Sequence, residues 1–198
     1  MKRRSFLVGA LSTTAVLVTG KRNNAGILQT WRSYNTTRFS ETRNYLAQNN
    51  ERWIDVDLRR MRVTGLQGDR IVAHNERPLL FVCDDGDVYN PTITGLFSRD
   101  GMAEIVPMSG QRQLPSGAGY KEYTNVITNY VIFFADGYAL HGLDESYQTT
   151  GSHISAGCIR LNYSDAPSVY QAHQANPFTS IAVGYSDSDR ILSWYGFG

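Results

Sequence analysis

The residues able to do covalent chemistry cluster towards the end of the chain. Residues 151 to 162 read GSHISAGCIRLN and hold Cys158, the second of two cysteines in 198 residues. A cysteine thiolate can attack a carbonyl and form a thioester. With an ordinary pKa near 8.5, only about 3% of a thiol is ionised at pH 7, so the attack needs a neighbouring base. Two histidines are candidates: His153 within the same loop, and His141 at the end of YVIFFADGYALHG. Acyl transfer also places negative charge on the attacked oxygen, which pre-placed donors must meet. Ser155-Ala156-Gly157, directly before Cys158, are small enough to let backbone amides turn towards it. The cysteine count has a plainer reading as well. Two cysteines in an exported chain fit a Cys83–Cys158 disulfide, although Cys83 closes the apolar run PLLFVC while Cys158 lies in a loop that re-enters Ile159-Arg160-Leu161. The residues alone leave both readings open, and the choice of base with them.

The elements that must position these groups read mostly as strands. WIDVDL alternates, with Ile54, Val56 and Leu58 on one face and Asp55 and Asp57 on the other. RRMRVTGLQGDRIVAHNE reads as two strands around Gln67-Gly68-Asp69, and PLLFVC as a strand buried on both faces. YVIFFADGYALHG reads as a hairpin whose Asp136-Gly137 supplies the positive φ angles of a type I′ turn, which puts His141 at a strand end. The stretch from Ser98 to Thr124, with SGQRQLPSGAGY, reads as longer and more irregular than a hairpin requires, a solvent loop or else a flap. SDAPSVYQAH is a helix, with Ser164 as cap and Pro167 early enough to cost no hydrogen bond. TSIAVGY and ILSWYGF supply closing strands. Many short strands with one clear helix imply an all-β sandwich or barrel-like domain of roughly 140 residues.

Before that domain, MKRRSFLVGALSTTAVLVTG joins a basic cluster to an apolar run of signal-peptide size. Residues 1–20 are therefore expected to direct export, and Arg3-Arg4-Ser5-Phe6-Leu7 resembles a twin-arginine address. If the segment is not cleaved after Gly20, it anchors the chain to a membrane. Residues 21–52 read as a linker or short helix, 53–187 as the domain and 188–198 as an extension. The formal charge of +1 conceals an asymmetry, because Lys2, Arg3, Arg4, Lys21 and Arg22 all precede the domain. The remainder is mildly acidic, which argues against a nucleic-acid partner. Neither H-E-x-x-H nor paired C-x-x-C occurs, so no metal and no cofactor is expected, and the absence of S-x-x-K disfavours a serine transpeptidase. Cys158 precedes only His173 among the histidines, an order unlike papain-type hydrolases that rely on a following histidine.

The motifs together resemble the L,D-transpeptidase catalytic domain of bacterial cell-wall enzymes. His141-Gly142 followed by Ser155-Ala156-Gly157-Cys158-Ile159-Arg160, with 13 residues separating His141 from Ser155, resembles that family's His-Gly and Ser-x-Gly-Cys pair. Asn90-Pro91-Thr92-Ile93-Thr94-Gly95-Leu96-Phe97 is similar to its upstream segment, and WIDVDLRRMRV to its first hairpin. The resemblance implies a mainly β sandwich of mixed sheets with one or two short helices. It implies Cys158 as nucleophile, His141 as base, Gly142 orienting that histidine through its carbonyl, and amides around Gly157 and Cys158 as oxyanion donors. Ser155 and Arg160 would shape the loop or bind substrate, and Ala156, where many members carry histidine, would line the groove with His153 taking over part of it. The implied reaction cross-links peptidoglycan stem peptides through a cysteinyl thioester, in the periplasm or wall, by a monomer. The alternatives are an L,D-carboxypeptidase with water as acceptor and a non-enzymatic, disulfide-stapled wall-binding module.

Overall fold

A computed structural model of the chain describes residues 38–98, 101–114 and 118–186. The export segment, the first part of the linker, ILSWYGF and the C-terminal extension lie outside the described residues. Helix α1 (38–48) is followed by β1 (Arg52–Asp57), β2 (Arg62–Gln67), β3 (Arg70–Ile71), β4 (Ala73–His74), β5 (Arg77–Pro78), β6 (Leu80–Val82), β7 (Asp85–Gly86) and β8 (Gly95–Phe97). Then come β9 (Gly101–Gln113), β10 (Tyr120–Ala135), β11 (Tyr138–Gly142), β12 (His153–Ser155), β13 (Ile159–Leu161), α2 (Ala166–Ala175) and β14 (Ser180–Gly184). Among these, no helix is long and apolar enough to cross a membrane.

Two mixed sheets enclose the core, as the implied sandwich requires. The first has order β3-β2-β1-β14-β8 with β6 also on β2, and its β1–β14 pair is parallel. The second has order β13-β11-β10-β9, with β11 and β13 parallel. Ile54 and Val56 from β1, with Leu58 just beyond its end, meet Ile132 and Phe134 from β10, Leu140 from β11, and Ile159 and Leu161 from β13 in one buried cluster. Burying a side chain of this size contributes about 1.5–3 kcal/mol, so this cluster fixes how the two sheets face each other.

The other face of β1 is buried too. Asp55 and Asp57 lie under α1, where Arg43 ion-pairs with Asp55 and reaches Asp57 at 3.9 Å. Phe39 and Leu46 of α1 pack with Trp53, Leu66 and Ala182 in a second cluster, so this part of the expected linker is a helix docked on the sheet. Burial raises the Asp55 carboxyl to about 6 even with Arg43 beside it.

Four local expectations are corrected. PLLFVC is not buried on both faces: Leu79, Phe81 and Cys83 point inward while Val82 is 38% exposed, because β6 pairs β2 at the margin of the sheet. The Asp136-Gly137 hairpin forms, but only Gly137 takes a positive φ, 72°, so the turn is not type I′. A bulge between Phe133 and Ala135 absorbs the twist that such a turn would have supplied. Helix α2 is capped at Asp165, not Ser164, and the Asp165 side chain makes no cap bond because it pairs with Arg77 and accepts from Asn162. Most of Ser98–Thr124 is not irregular loop: β9 and β10 run antiparallel from Gly101↔Phe133 out to Gln113↔Tyr120. Ordinary hydrophobic alternation is weak there, and pairing between the two strands compensates.

Candidate active site

Strands β11 and β13 build the floor of the site. Their parallel register sets Leu140 beside Ile159 and His141 beside Arg160. Leu140 and Ile159 enter the core, so the period of two turns His141, Arg160 and, one residue before β13, Cys158 to the opposite face. Those three side chains, with Ala156 and Leu143, line one cavity of ≈ 200 Å³. Its wall comes from the β9–β10 hairpin through Met108, Arg112, Lys121, Tyr123, Val126 and Thr128. Among the described residues, no group of three or more His, Cys, Asp or Glu is placed to hold a metal ion.

His141 is buried, 3% exposed, and its Nδ1 lies 2.9 Å from the Gly142 carbonyl oxygen. A carbonyl only accepts, so Nδ1 carries the proton and Nε2 is left with a lone pair. Burial lowers the imidazole pKa to about 4; the Gly142 carbonyl resists this and the Arg160 charge adds to it. Burial also pushes the Cys158 thiol up, against a hydrogen bond from the Ala139 amide and the Arg160 charge. The Cys158 Sγ sits 3.8 Å from the Gly137 carbonyl, to which a protonated thiol donates. Both shifts favour the neutral pair, thiol and imidazole, over thiolate and imidazolium in the resting site.

The loop before Cys158 is held by a chain of hydrogen bonds. The Ser155 hydroxyl donates to the Cys158 carbonyl at 2.6 Å and accepts from the Gly157 amide at 2.9 Å. Gly157 sits at φ 114°, and a Cβ there would come within 2.8 Å of Tyr138 Cε1, so glycine is required on both counts. The Gly157 carbonyl accepts from Thr92 Oγ1 at 2.7 Å, while Thr92 Oγ1 accepts from the Gly86 amide at 2.8 Å. Because a trans peptide points its C=O and N–H in opposite directions, anchoring the Gly157 carbonyl on Thr92 aims the Cys158 N–H away from Thr92.

Buried Asp84 holds the next layer. Its Oδ1 accepts from the Thr150 and Ser152 amides at 3.0 and 2.8 Å, and its Oδ2 from the Tyr147 hydroxyl at 2.5 Å. The Arg160 guanidinium packs over the Tyr147 ring at 5.6 Å, and the Asp84 backbone bridges that of Arg160. At the far end, Asp87 accepts from Arg112 Nε at 3.0 Å, and Asn90 exchanges hydrogen bonds with the Gln113 backbone at 2.7 and 3.1 Å. These contacts hold the hairpin against the 87–90 turn. Burial pushes the Asp87 carboxyl up, but the bonds from Arg112, Asn90 and Tyr89 outweigh it and hold the pKa below the usual value.

Of the residues expected from sequence, Cys158, His141, Ala156 and Arg160 meet at the cavity. Ser155 and Gly157 lie behind it as structure, Ser155 being wholly buried, and the Gly157 amide is already committed to Ser155 Oγ. Gly142 serves His141 through its carbonyl and approaches α2 so closely that a Cβ would stand 3.0 Å from Ala166 Cβ. His153 is not part of the lining: on β12 its Nδ1 pairs with Asp85 at 2.5 Å. His173 is buried in α2 and accepts from the Phe178 amide at 3.1 Å.

The disulfide is not formed, since both cysteines are free. Cys83 lies in the core, and the antiparallel Asp84–Arg160 bridge aligns Cys158 with Gly86. Cys83 is three residues further along, about 10 Å at 3.3 Å per residue, beyond the roughly 7 Å limit for a disulfide. No Cys83–Cys158 staple is present in this structure. Sequence reasoning missed Thr92, Asp84, Asp87 and Arg112. Thr92 stands inside Asn90-Pro91-Thr92-Ile93-Thr94-Gly95, but nothing local there foretells a partner 65 positions away.

The fold has counterparts among known proteins. An L,D-transpeptidase from Mycobacterium smegmatis superposes with a TM-score of 0.50 at 18% identity, covering 67% of this chain and 58% of that one. The L,D-transpeptidase LdtMt1, solved in complex with imipenem, gives the same TM-score, identity and coverage. The chain thus spans 58% of the length of these relatives, and at such identity the likeness is one of fold. No curated protein sequence matches the chain. The sequence model of the L,D-transpeptidase catalytic domain matches residues 51–181, which hold His141, Cys158 and every strand of both sheets up to the start of β14, and by that match the chain belongs to the L,D-transpeptidase catalytic domain family.

Proposed function

We propose that this chain is an exported peptidoglycan L,D-transpeptidase that cross-links stem peptides through a thioester on Cys158. The observation that carries the reading is His141, held with Nδ1 on the Gly142 carbonyl and sharing its cavity with Cys158. In the first half-reaction, Nε2 of His141 takes the Sγ proton as Sγ attacks the carbonyl between the L-centre of a diamino acid and a terminal D-alanine. The carbonyl oxygen becomes an oxyanion that accepts from the Cys158 N–H, the amide Thr92 aims. As the intermediate collapses, the C–N bond breaks and the imidazolium protonates the departing D-alanine amine.

In the second half-reaction, an amine from a neighbouring stem attacks the thioester. His141 accepts the amine's proton, the C–S bond breaks, and the thiol recovers that proton. Keeping thiol and imidazole neutral at rest defers ionisation until a carbonyl is in place, which spares the cysteine from idle oxidation. The basic, apolar N-terminal segment supports export to the periplasm or wall.

Incubating the full chain and a Cys158→Ala variant with tetrapeptide muropeptides, with products read by mass spectrometry, tests this. Free D-alanine and 3-3 linked dimers from the parent alone are expected. D-alanine with tripeptides and no dimers would make water the acceptor and the protein a carboxypeptidase. No products from the parent, or equal products from the variant, would overturn the reading.

A further inference from the structure

The cavity carries positive charge that the two half-reactions do not use. Arg112, Lys121 and Arg160 line it, and no aspartate or glutamate does. Arg160 sits over Tyr147, whose hydroxyl is held by buried Asp84. Arg112 is met by Asp87 from outside the cavity. Lys121 is exposed, and no carboxylate among the described residues pairs with it. In the β9–β10 register Lys121 stands directly opposite Arg112. Like charges directly opposed across a strand pair repel, so the hairpin places two cations together at a local cost and answers only one of them.

The geometry points to an anion subsite at the cavity mouth, formed by Lys121 with the free edge of the Arg112 guanidinium, that holds a carboxylate of the donor peptide. This rests on the transpeptidase reading for the identity of the donor. Asp87 engages Nε and Nη2 of Arg112, so Nη1 keeps its donors, and the Lys121 ammonium adds three more. A carboxylate bridging the two removes the repulsion and gains charge-assisted hydrogen bonds. Arg112 is fixed by Asp87 before the ligand arrives, so only Lys121 has to be ordered.

A stem tetrapeptide offers two carboxylates near the scissile bond: the α-carboxylate of the leaving D-alanine and the side-chain carboxylate of a diamino acid. Three donors separate them: the unmodified tetrapeptide, its C-terminal amide, and its side-chain amide. Binding is measured by calorimetry on full-length Cys158→Ala protein, where no turnover intervenes. One amide is expected to bind about tenfold more weakly than the unmodified donor, identifying the carboxylate held. Adding Lys121→Met should bring that ratio close to one, Lys121→Arg should keep it, and 0.5 M NaCl should shrink it. Equal binding of all three donors, or an undiminished ratio in Lys121→Met, overturns the subsite. D-alanine release by the Cys158 parent is scored separately. If the binding ratio behaves as expected and no release occurs, the subsite stands and the transfer reading falls.

Discussion

The floor and the wall of the cavity are built in opposite ways. On the floor, β11, β13 and the loop before Cys158 place each proposed catalytic group through hydrogen bonds to buried partners: Gly142 for His141, Thr92 for the Gly157–Cys158 peptide, Ser155 for the Gly157 amide and Cys158 carbonyl on either side of it, Asp84 for the Tyr147–Arg160 pair. The wall is a two-stranded arm with solvent on its outer face, where Ile105 and Ile127 are 62% and 51% exposed. A register shift between Tyr123 and Val126 interrupts it, and side-chain contacts at Asp87 and Asn90 hold its far end. Few buried contacts mean a low local opening free energy, whereas a wired floor opens only with the fold. The division is chemically sensible. In the proposed reaction, proton transfer and attack fail if groups move by an ångström, while admitting two peptides in turn requires a wall that can give.

Disabling the floor's chemistry should have the largest effect. Cys158→Ala should abolish D-alanine release, and His141→Gln should lower kcat by about 10⁴-fold or more, with the double variant no worse than either, since the two act as a unit. Additive losses would mean that His141 acts apart from the thiol. Next in size is Thr92→Val, which leaves the Gly157 carbonyl and the Gly86 amide without their partner. Losing the aim of one oxyanion donor should cost about 10²-fold in kcat with KM little changed. Two orphaned buried groups should also cost about 1–3 kcal/mol each, read as a lower Tm. A Thr92→Ser variant, which keeps the hydroxyl, should recover most of the loss. If Ser does no better than Val, the methyl rather than the hydroxyl matters, and the floor is packed rather than wired.

The pH profile tests the same contrast from the side of burial. In its proposed role His141 acts as a base only when neutral, and burial has lowered its pKa from 6.5 to about 4. As pH falls from neutrality, kcat/KM should therefore hold through 6.5 and drop about tenfold per unit only below about 4, the limb belonging to the coupled His141–Cys158 pair. An acid limb near 6.5 would mean that the floor admits water and is less rigid than its bonding implies.

How much of this could be read from sequence follows the same line between local and distant causes. β1 was legible from WIDVDL, and α2 from Pro167 near the start of a periodic run, because both signals lie within one element. Cys158 and His141 were legible because a nucleophile after Ser-Ala-Gly and a strand-end His-Gly are local patterns. The burial of Asp55 was not, because it depends on Arg43 arriving from a helix that the polar stretch barely announces. Nor was the arm: a run such as Met102 to Gln113 reads as loop until its partner strand supplies the hydrogen bonds. His153 misled by nearness in sequence, since β12 turns it towards Asp85 and only the pairing of β12 with β7 decides that.

The smallest expected effect belongs to the wall's clasp, and its smallness is the point. Arg112 is 41% exposed in its pair with Asp87, so solvent screens much of the attraction and about 1 kcal/mol or less is at stake. Asp87→Asn keeps the shape, and its amide can still accept from Tyr89 and Asn90, but it gives up the charge that answers Arg112. The arm should then stand away from the 87–90 turn more often. KM for the donor should rise about threefold, kcat should stay within twofold, and the difference from the parent should vanish in 0.5 M NaCl, which weakens the clasp in both proteins. Amide hydrogen exchange should quicken along β9 and the outer half of β10 and stay unchanged in β11 and β13. A kcat loss comparable to that of Thr92→Val, or faster exchange in β11, would show that wall and floor move as one body.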